Sequence, residues 1–436
     1  MLNTLNDVLN NVDNFIWGMP LIILILFTGI LLTVRLRGLQ IRHLGKALHY
    51  VFHNEDDGEG EVTSFGALCT ALSATIGTGN IVGCATAIVA GGPGALFWMW
   101  LAAFFGMATK YAEGMLAVKY RVIAEDGHTL GGPFYYIEKG MGKNFKWLAK
   151  LFCVFGTMVG LFGIGTFTQV NGITSAVNNF FDPSNVHTIS LFGMNYSISV
   201  VVAGIIVTIC AGLVIIGGIK RISKVSEVIV PFMAVTYIGV CLIIVFTHLP
   251  QVPAAFAEIV QSAFGLKAVA GGAIGAMTVA MQKGIARGIF SNEAGLGSAP
   301  IAAAAAQTNE PVRQGLVSMT GTFIDTIIVC TMTGLAIVMT GAWDMGLEGV
   351  AVTTKAFALG LPFPAKASAF VLMMCLVFFA FTTILGWAYY SERCLEYLVN
   401  GKKFVITAFK WFYILAVFIG PFMTVSAVWT IADICN

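Results

Sequence analysis

Two adjacent threonines have side chains that can act as oxygen ligands for a cation. Thr382 and Thr383 lie in the stretch FFAFTTILGW, where nearly every other side chain is apolar. Hydroxyl groups in an apolar helix usually bond to carbonyls of their own helix, yet hard cations also prefer oxygen ligands. The pair is therefore either structural or one part of a cation site, and this stretch alone leaves both interpretations open.

Two glycine-rich stretches could expose backbone groups to a ligand. One holds Gly77, Thr78, Gly79 and Asn80, and the other has the sequence GGAIGAMTVAMQKG at 271–284. Glycine destabilises a helix interior by about 1 kcal/mol relative to alanine, so both stretches favour a break. An unwound stretch offers N–H groups to a carboxylate and carbonyls to a cation or an ammonium group. The alternative explanation is that small residues merely let helices pack closely.

The composition identifies the elements that must position these groups. Of the 436 residues, 57% are hydrophobic and 11% are charged, with a net charge of +2. Soluble domains are about 25% charged, so a soluble enzyme, a disordered chain and a nucleic-acid-binding protein are all excluded. The nine cysteines are scattered without a paired spacing, and the six histidines lie in loops or at segment ends. Neither residue type indicates a metal or redox centre.

The apolar stretches predict an all-α polytopic membrane protein. About 20 apolar residues cross a bilayer as a helix, and lipid leaves no other way to satisfy the backbone of a single span. The expected spans are 17–34, 64–90, 94–118, 147–180, 198–218, 225–247, 267–290, 312–342, 365–398 and 404–423, with a last one that begins near 425 and is incomplete at Asn436. We treat the first as an accessory helix and the others as core helices.

The distribution of basic residues predicts the orientation in the membrane. If the spans alternate in direction, all Lys and Arg residues except Lys267, Lys355 and Lys366 fall on one side. Positive residues favour the cytoplasmic side, so we expect the N-terminus outside and the first core helix to start inside. This assignment places Lys110, Lys283 and Arg287 among the cytoplasmic residues.

The order of the spans indicates an inverted repeat within a single transport domain. The first core helix starts inside and the sixth starts outside, so 64–247 and 267–436 form two five-helix units of opposite orientation. A glycine-rich, weak helix leads each unit. Two inverted units led by interrupted helices are typical of secondary transporters.

Three acidic residues, Glu113, Glu227 and Asp325, fall inside the predicted spans. A carboxylate within the membrane is a functional candidate by default. Asp325 could pair with a substrate amine, take part in proton coupling, or brace the bundle through hydrogen bonds. No Lys or Arg lies in its stretch, and we favour the brace.

Several motifs resemble one family of transporters. The sequence GGPGALFWMWLAAFFG (91–106) closely resembles the signature of the alanine or glycine:cation symporter family. Three further stretches resemble other parts of that family's sequences, namely SATIGTGNIVG (73–83), GGPFYYIEKGMG (131–142) and FSNEAGLGSAP (290–300). The resemblance implies sodium-coupled uptake of alanine or glycine across the plasma membrane of a bacterium or archaeon. It also implies the five-plus-five inverted-repeat fold of the neurotransmitter:sodium symporters, and a last helix that continues beyond VWTIADICN (428–436).

The resemblance gives the threonine pair a role. In this fold two hydroxyls of the eighth core helix face the break in the first, where they bind the co-transported sodium ion. Thr382 and Thr383 would then act with backbone carbonyls near Ser73 and Ile76 as the sodium ligands.

We expect the substrate to be held mainly by backbone groups. Its carboxylate should meet the amides around Thr78 and Gly79, next to Asn80, at a half-helix N-terminus. Its ammonium should meet carbonyls near the predicted break in the sixth core helix. The expected partners and walls at that side are Ile274, Met277, Gln282, Gln169, Phe167 and Trp387.

Other functions are less well supported by the sequence. A channel would need a repeated filter motif, and a membrane enzyme would need converging His, Cys or carboxylate groups. A proton-coupled amino-acid transporter on the same fold remains the main alternative, although such proteins typically replace the hydroxyl pair. The preference between alanine and glycine, the sodium stoichiometry and the oligomeric state stay open.

Overall fold

The computed structural model describes residues 19–53, 58–124, 128–191, 194–266, 272–423 and 428. The predicted last span, from about 425 onward, lies outside these residues except for Val428, and so do Lys267 and Gly271.

The first half of the described chain forms helices of very different length. They are α1 (Met19–Arg35), α2 (Leu39–Arg42), α3 (Leu44–Phe52), α4 (Ser64–Thr75), α5 (Cys84–Gly91), α6 (Gly94–Lys119), α7 (Pro133–Tyr136), α8 (Lys146–Phe162), α9 (Phe167–Phe181), α10 (Ile198–Ile215) and α11 (Gly218–Thr247). Two antiparallel hairpins connect some of them. Their strands are β1 (Val122–Ile123) with β2 (Thr129–Leu130), and β3 (Thr188–Leu191) with β4 (Met194–Ser197).

The second half continues the helical bundle. Its helices are α12 (Val252–Ala263), α13 (Ala273–Asn292), α14 (Ala299–Ala303), α15 (Pro311–Thr322), α16 (Thr331–Thr340), α17 (Val350–Gly360), α18 (Ala365–Leu398) and α19 (Lys403–Ile419). Short π or 3-10 segments adjoin helices at Gly79–Gly83, Ile137–Met141, Lys143–Phe145, Leu249–Gln251, Phe323–Cys330, Ala342–Asp344 and Gly420–Phe422.

The predicted membrane spans correspond to helices of the structure. Within the described ranges, six helices are long and apolar enough to cross a membrane, or seven if the bent pair 64–75 and 79–91 counts as one span. The other expected spans are α1, α6 and α13, which are shorter or less apolar. Helix α6 can carry polar residues because it buries Lys110 and Glu113 against neighbouring helices.

The first core helix is broken where the glycines predicted it. Helix α4 ends at Thr75, the chain bends by 52°, and a π turn from Gly79 to Gly83 leads into α5. Ile76 has an extended ψ of 94°, which cannot continue an α-helix. The carbonyls and amides at the bend are thus released from the helical ladder.

The predicted position of the second break is wrong. Helix α13 runs without interruption from Ala273 to Asn292, and the break comes after it, between Glu293 and Ser298. Backbone angles explain the difference, because Glu293, Gly295 and Gly297 all have positive φ values of 56°, 94° and 75°. Gly284, inside the predicted break, instead lets α13 pack directly against the carbonyl of Ala95 on α6.

Two further irregularities were not predicted. The expected span 147–180 is interrupted between α8 and α9, where Gly163 and Thr166 leave the helical conformation. The π segment Phe323–Cys330 joins α15 to α16 and contains Asp325. Such π segments are frequent at functional sites.

Three basic residues lie elsewhere than the charge pattern predicted. Lys110 is 2% exposed in the middle of the bundle. Lys283 packs beside Gly91, at the end of the bundle predicted to face outward. Arg287, one helical turn further along α13, lines a cavity that also opens at that end. The count by span assigned these residues to the inner side from their position in the sequence alone, and it could not detect this placement.

Candidate functional site

The hydroxyl of Thr383 meets the break in the first core helix. Its Oγ1 atom lies 3.3 Å from the carbonyl oxygen of Ile76 and 3.1 Å from that of Phe379. Gly77 follows directly, and a Cβ at Gly77 would clash with the Thr383 hydroxyl and lie 3.0 Å from Oε1 of Gln169. Two of the predicted sodium ligands, Ile76 and Thr383, are therefore brought together.

The other two predicted sodium ligands lie next to this point. Ser73 is completely buried one turn before the break, and its hydroxyl donates to the carbonyl of Thr70 at 2.8 Å. The hydroxyl of Thr382 donates to the carbonyl of Phe379 at 3.0 Å and lies 3.6 Å from the Met233 sulfur on α11. Helices α4 and α18 cross closely here, since a Cβ at Gly386 would lie 2.7 Å from that of Ala74. The arrangement can supply oxygen ligands to a small cation, with Thr383 in the more direct position.

Amide side chains hold the unwound backbone in place. Gln169 accepts a hydrogen bond from the Thr78 backbone N–H at 3.1 Å and donates to the carbonyl of Ile164 at 2.9 Å. Asn80 accepts from the Gly77 N–H at 2.9 Å through its side-chain oxygen. The predicted substrate contacts Gln169 and Asn80 thus bind the break itself. The Thr78 hydroxyl is buried and has no hydrogen-bond partner among the described residues.

An open cavity leads from the predicted outer end to Thr78. It has a volume of about 630 Å³. Its lining includes Thr78, Thr168 and Gly172, together with the charged residues Arg287 and Glu348. We call this cavity the vestibule. It is large enough to admit a small amino acid to the break.

At the opposite end of the bundle, Arg121 connects two segments of the chain. The Arg121 guanidinium donates four hydrogen bonds to backbone carbonyls, those of Ala304 and Ala306 at 3.1 and 2.7 Å and those of Glu59 and Thr308 at 2.6 and 2.8 Å. These bonds tie the segment before α4 to the segment after α14. Arg121 thus joins these two segments at the end of the bundle away from the vestibule.

Asp325 joins three elements around the two breaks. Its carboxylate is completely buried and accepts from Asn80 Nδ2 at 2.7 Å, from Ser291 Oγ at 2.9 Å and from Thr326 Oγ1 at 2.7 Å. These three bonds connect the π segment Phe323–Cys330 to Asn80 at the first break and to Ser291 at the end of α13, which supports the bracing role. The amide of Asn292 extends the network with a bond to Thr326 at 3.0 Å.

We expect Asp325→Asn to destabilise the fold while leaving sodium dependence intact. One accepting oxygen would become a donor, which would face either Asn80 Nδ2 at the position of Oδ1 or the hydroxyls of Ser291 and Thr326 at the position of Oδ2. A buried group left unsatisfied costs about 1 to 3 kcal/mol, which a lower melting temperature of the purified protein would report. Ser291→Ala, which removes one donor of three, should cost less. A folded Asp325→Asn protein that has lost sodium dependence would contradict the bracing role.

Trp387 is fixed by an acidic residue that the sequence analysis missed. The indole N–H donates to Glu293 Oε1 at 2.9 Å, and Ser298 donates to Glu293 Oε2 at 2.5 Å. Glu293 is completely buried at the start of the second break. Glu113 of α6 reaches the same break and accepts from the Gly297 N–H at 3.2 Å. The available signal was a lone glutamate just before the two glycines of FSNEAGLGSAP.

Four residues that were predicted to contact the substrate do not lie at the second helix break, which follows Asn292. Ile274 is 77% exposed, and Met277 lies fourteen residues before Ser291 in an unbroken helix, or about 21 Å at 1.5 Å per residue. Their backbone carbonyls lie within regular helix, so they cannot hold an ammonium group as predicted. Gln282 lies on the same unbroken helix, about 14 Å from Ser291. Phe167 packs instead near Gly420, beyond the end of α19.

Comparisons with known proteins agree with this architecture. Residues 2–436 match the sodium:alanine symporter family. A protein of Haemophilus influenzae described as an uncharacterized transporter is 55% identical over 435 residues, which cover 99% of this chain and 91% of that protein. The sodium/alanine symporter AgcS of Methanococcus maripaludis is 45% identical over 438 residues, again 99% of this chain and 91% of the relative.

A solved structure has a similar fold. The structure of MhsT in complex with L-phenylalanine aligns with a TM-score of 0.59 at 13% sequence identity. The alignment covers 86% of this chain and 87% of MhsT. The two proteins therefore share their helical fold.

Proposed function

Since this chain belongs to the sodium:alanine symporter family, we propose that it couples the sodium gradient to the uptake of alanine, glycine or both by alternating access. The family and the relatives show that the chain is a cation-coupled amino-acid transporter in a membrane and not an enzyme. The identity of the substrate and the mode of coupling are the proposal. The observation that carries it is the contact between Thr383 Oγ1 and the Ile76 carbonyl at the break.

Sodium binds at the crossing of α4 and α18 in this proposal. The carbonyl of Ile76 and the hydroxyl of Thr383 act as direct ligands, with Thr382 and the carbonyl of Ser73 completing the set. Oxygen ligands suit a hard monovalent cation. A cation here would also draw α18 and the unwound segment together, which links sodium to the shape of the substrate site.

In this proposal the substrate binds where Thr78 lines the vestibule. Its carboxylate is placed near Thr78, whose hydroxyl is buried without a partner in the described part of the chain, and near the backbone of Gly79. Helix dipoles and backbone N–H groups favour a carboxylate at such a position. Gly172 lies against Thr78, since a Cβ at Gly172 would lie 2.6 Å from Thr78 Cγ2. We propose Trp387 as the large side chain that bounds the substrate site. A zwitterion is compatible with a cavity whose lining includes both a basic residue, Arg287, and an acidic one, Glu348.

The proposed setting is the plasma membrane of a prokaryote, with the N-terminus outside. The open vestibule and the Arg121 contacts at the other end are consistent with an outward-open state in that orientation. We propose that the units 64–247 and 267–436 act as the two halves of the transport domain.

Binding of the two ligands should be reciprocal, and calorimetry on the purified protein tests this. Sodium should tighten alanine binding, and alanine should tighten sodium binding by the same factor, because binding free energies are linked. The physical reason is that both ligands order the segment 76–80, so the first lowers the cost for the second. Potassium at the same ionic strength is the control. Alanine affinity that is the same in sodium and in potassium would contradict the proposal.

A further inference from the structure

A second cavity lies beside Trp387, between α8 and α18. It has a volume of about 170 Å³, and we call it the α8–α18 cavity. Its lining residues on α18 are Trp387, Tyr390 and Cys394, which are three and four residues apart and therefore share one face of the helix. Thr383 lies one turn before Trp387, so the cavity extends from Trp387 away from the proposed sodium site. Among the described residues, this cavity and the vestibule have no lining residue in common.

The wall of the α8–α18 cavity is mainly apolar. Besides α18 it is formed by α8 and by the segment 296–301, which includes the end of the second break. The apolar lining residues of these two elements are Phe152, Phe155, Val159, Leu296 and Ile301. An engineered cavity of about 150 Å³ with a wall of Leu, Ile and Phe side chains stays dry and binds benzene. The size and the lining of the α8–α18 cavity thus favour an occupant that contains one aromatic ring.

One polar group in the wall of this cavity lacks a partner. Tyr390 is 1% exposed, and its hydroxyl has no hydrogen-bond partner among the described residues. Ser298 also lines the cavity, but its hydroxyl already donates to Glu293. A water molecule in a cavity needs two to four polar partners, which this wall does not offer. A ring that carries one hydroxyl group would fill the apolar space and also satisfy Tyr390.

The α8–α18 cavity adjoins the face of α8 that is exposed in the described structure. Leu151, Val154, Phe155 and Met158 form this apolar face, and each of them is 40 to 54% exposed. An exposed apolar face of a membrane protein contacts lipid. Phe155 belongs both to this face and to the wall of the cavity. A small apolar molecule dissolved in the bilayer therefore has a short path to the cavity that does not pass through the vestibule.

We propose that the α8–α18 cavity is a binding site for a small uncharged aromatic alcohol of the phenol class. The ring fills the apolar space, and the hydroxyl group forms a hydrogen bond with Tyr390. This binding does not depend on what the protein transports.

The proposed site predicts inhibition of transport, and this consequence rests on the proposed function. The cavity has walls from both proposed halves, because α8 belongs to 64–247 whereas 296–301 and α18 belong to 267–436. Alternating access moves one half against the other, so it changes the shape of the cavity. A ligand that fills the cavity favours the described conformation over the others. Since the vestibule stays open to alanine, the inhibition is not competitive with the substrate.

Fluorine NMR of 4-fluorophenol with the purified protein tests the binding site. The signal of the ligand should shift or broaden in a saturable way, and Val159→Phe should abolish this effect because the larger ring fills the cavity. Val235→Phe is the matched control, since Val235 lies on the exposed face of α11 and is 71% exposed. This control should bind 4-fluorophenol like the wild type, in the same amount of detergent.

A substitution without a change of volume tests the hydrogen bond. Tyr390→Phe should weaken the binding of 4-fluorophenol about fivefold, as expected for the loss of one hydrogen bond. It should leave the binding of 4-fluorotoluene, which has no hydroxyl group, unchanged. If Val159→Phe does not fold, this comparison decides the question. A Tyr390→Phe protein that treats the two ligands as the wild type does would overturn the proposal, and so would a folded Val159→Phe protein with wild-type affinity for 4-fluorophenol.

Uptake of alanine by proteoliposomes tests the predicted inhibition. In a sodium gradient, 4-fluorophenol should lower the maximal rate and leave KM unchanged, whereas the Val159→Phe protein should be insensitive to it. An increase in KM at a constant maximal rate would overturn the non-competitive mechanism. Failure of the wild type to take up alanine without 4-fluorophenol would count against the proposed function and not against the binding site.

Discussion

Replacing both Thr382 and Thr383 by alanine is expected to weaken sodium binding by more than tenfold. The cation would lose two hydroxyl ligands in a buried site, and each tenfold step corresponds to about 1.4 kcal/mol. The geometry further predicts that the two threonines contribute unequally to the sodium affinity. Thr383 faces the Ile76 carbonyl at 3.3 Å, whereas Thr382 leans toward α11, so Thr383→Ala alone should account for most of the loss.

A threonine elsewhere in the bundle provides the control. Thr208 of α10 is partly buried, and its hydroxyl bonds to the Gly204 carbonyl at 2.7 Å, a back-bond of the same kind as those of the pair. Thr208→Ala should leave the sodium affinity unchanged, as measured by calorimetry or by the sodium dependence of alanine binding. If the double variant binds sodium as tightly as the wild type, the ion does not lie between α4 and α18.

Gly77→Ala should abolish sodium-coupled transport. A methyl group at this position would clash with the Thr383 hydroxyl and lie 3.0 Å from Oε1 of Gln169. Either the break or α18 would have to shift, which would separate the Ile76 carbonyl from Thr383 and disturb the bond from the Thr78 N–H to Gln169. The fold should survive, because only local groups move.

Gly239→Ala is the matched control for this substitution. Gly239 lies inside α11, and a Cβ there would meet nothing within 4 Å. Alanine is favoured over glycine in a helix by about 1 kcal/mol, so this variant should be at least as stable as the wild type and fully active. Gly77→Ala that transports alanine at the wild-type rate would show that the break does not form the site.

Gly79 differs from Gly77 in what it touches. The sequence analysis placed the substrate carboxylate at the amides around Thr78 and Gly79. In the structure its Cβ would lie 3.3 Å from Ser291 Cα and 3.4 Å from the Phe290 ring, on α13. A bulky residue such as valine at this position should therefore act by separating the two broken helices.

The first break was predictable and the second was not, for a physical reason. Gly77 and Gly79 alternate with Thr78 and Asn80, which are themselves weak helix formers. The helix therefore breaks where its composition is least favourable to a helix. The glycines of 271–284 lie in a regular helix, where Gly284 serves close packing against α6. The true second break depends on positive φ at Glu293, Gly295 and Gly297. The two glycines are compatible with this conformation, but a glutamate usually avoids it, so the start of the break at Glu293 was not predictable.

The misplaced break also explains which site residues were missed. Ile274, Met277 and Gln282 were predicted as substrate contacts because they lie within the predicted break at 271–284. Ser291 and Glu293 lie at the break that the structure shows. Trp387 was predicted as a pocket wall from its depth in α18. Its hydrogen bond to Glu293 could not be inferred, because it joins residues 94 positions apart.

Uptake of labelled alanine by proteoliposomes tests the central claim most directly. The purified protein is reconstituted, and an inward gradient of sodium, potassium or protons is imposed in turn at constant membrane potential. We predict that only the sodium gradient drives accumulation of alanine above the external concentration, and that the Thr382→Ala/Thr383→Ala variant loses this accumulation. Accumulation driven by the proton gradient without sodium, or no accumulation with sodium, would contradict the account.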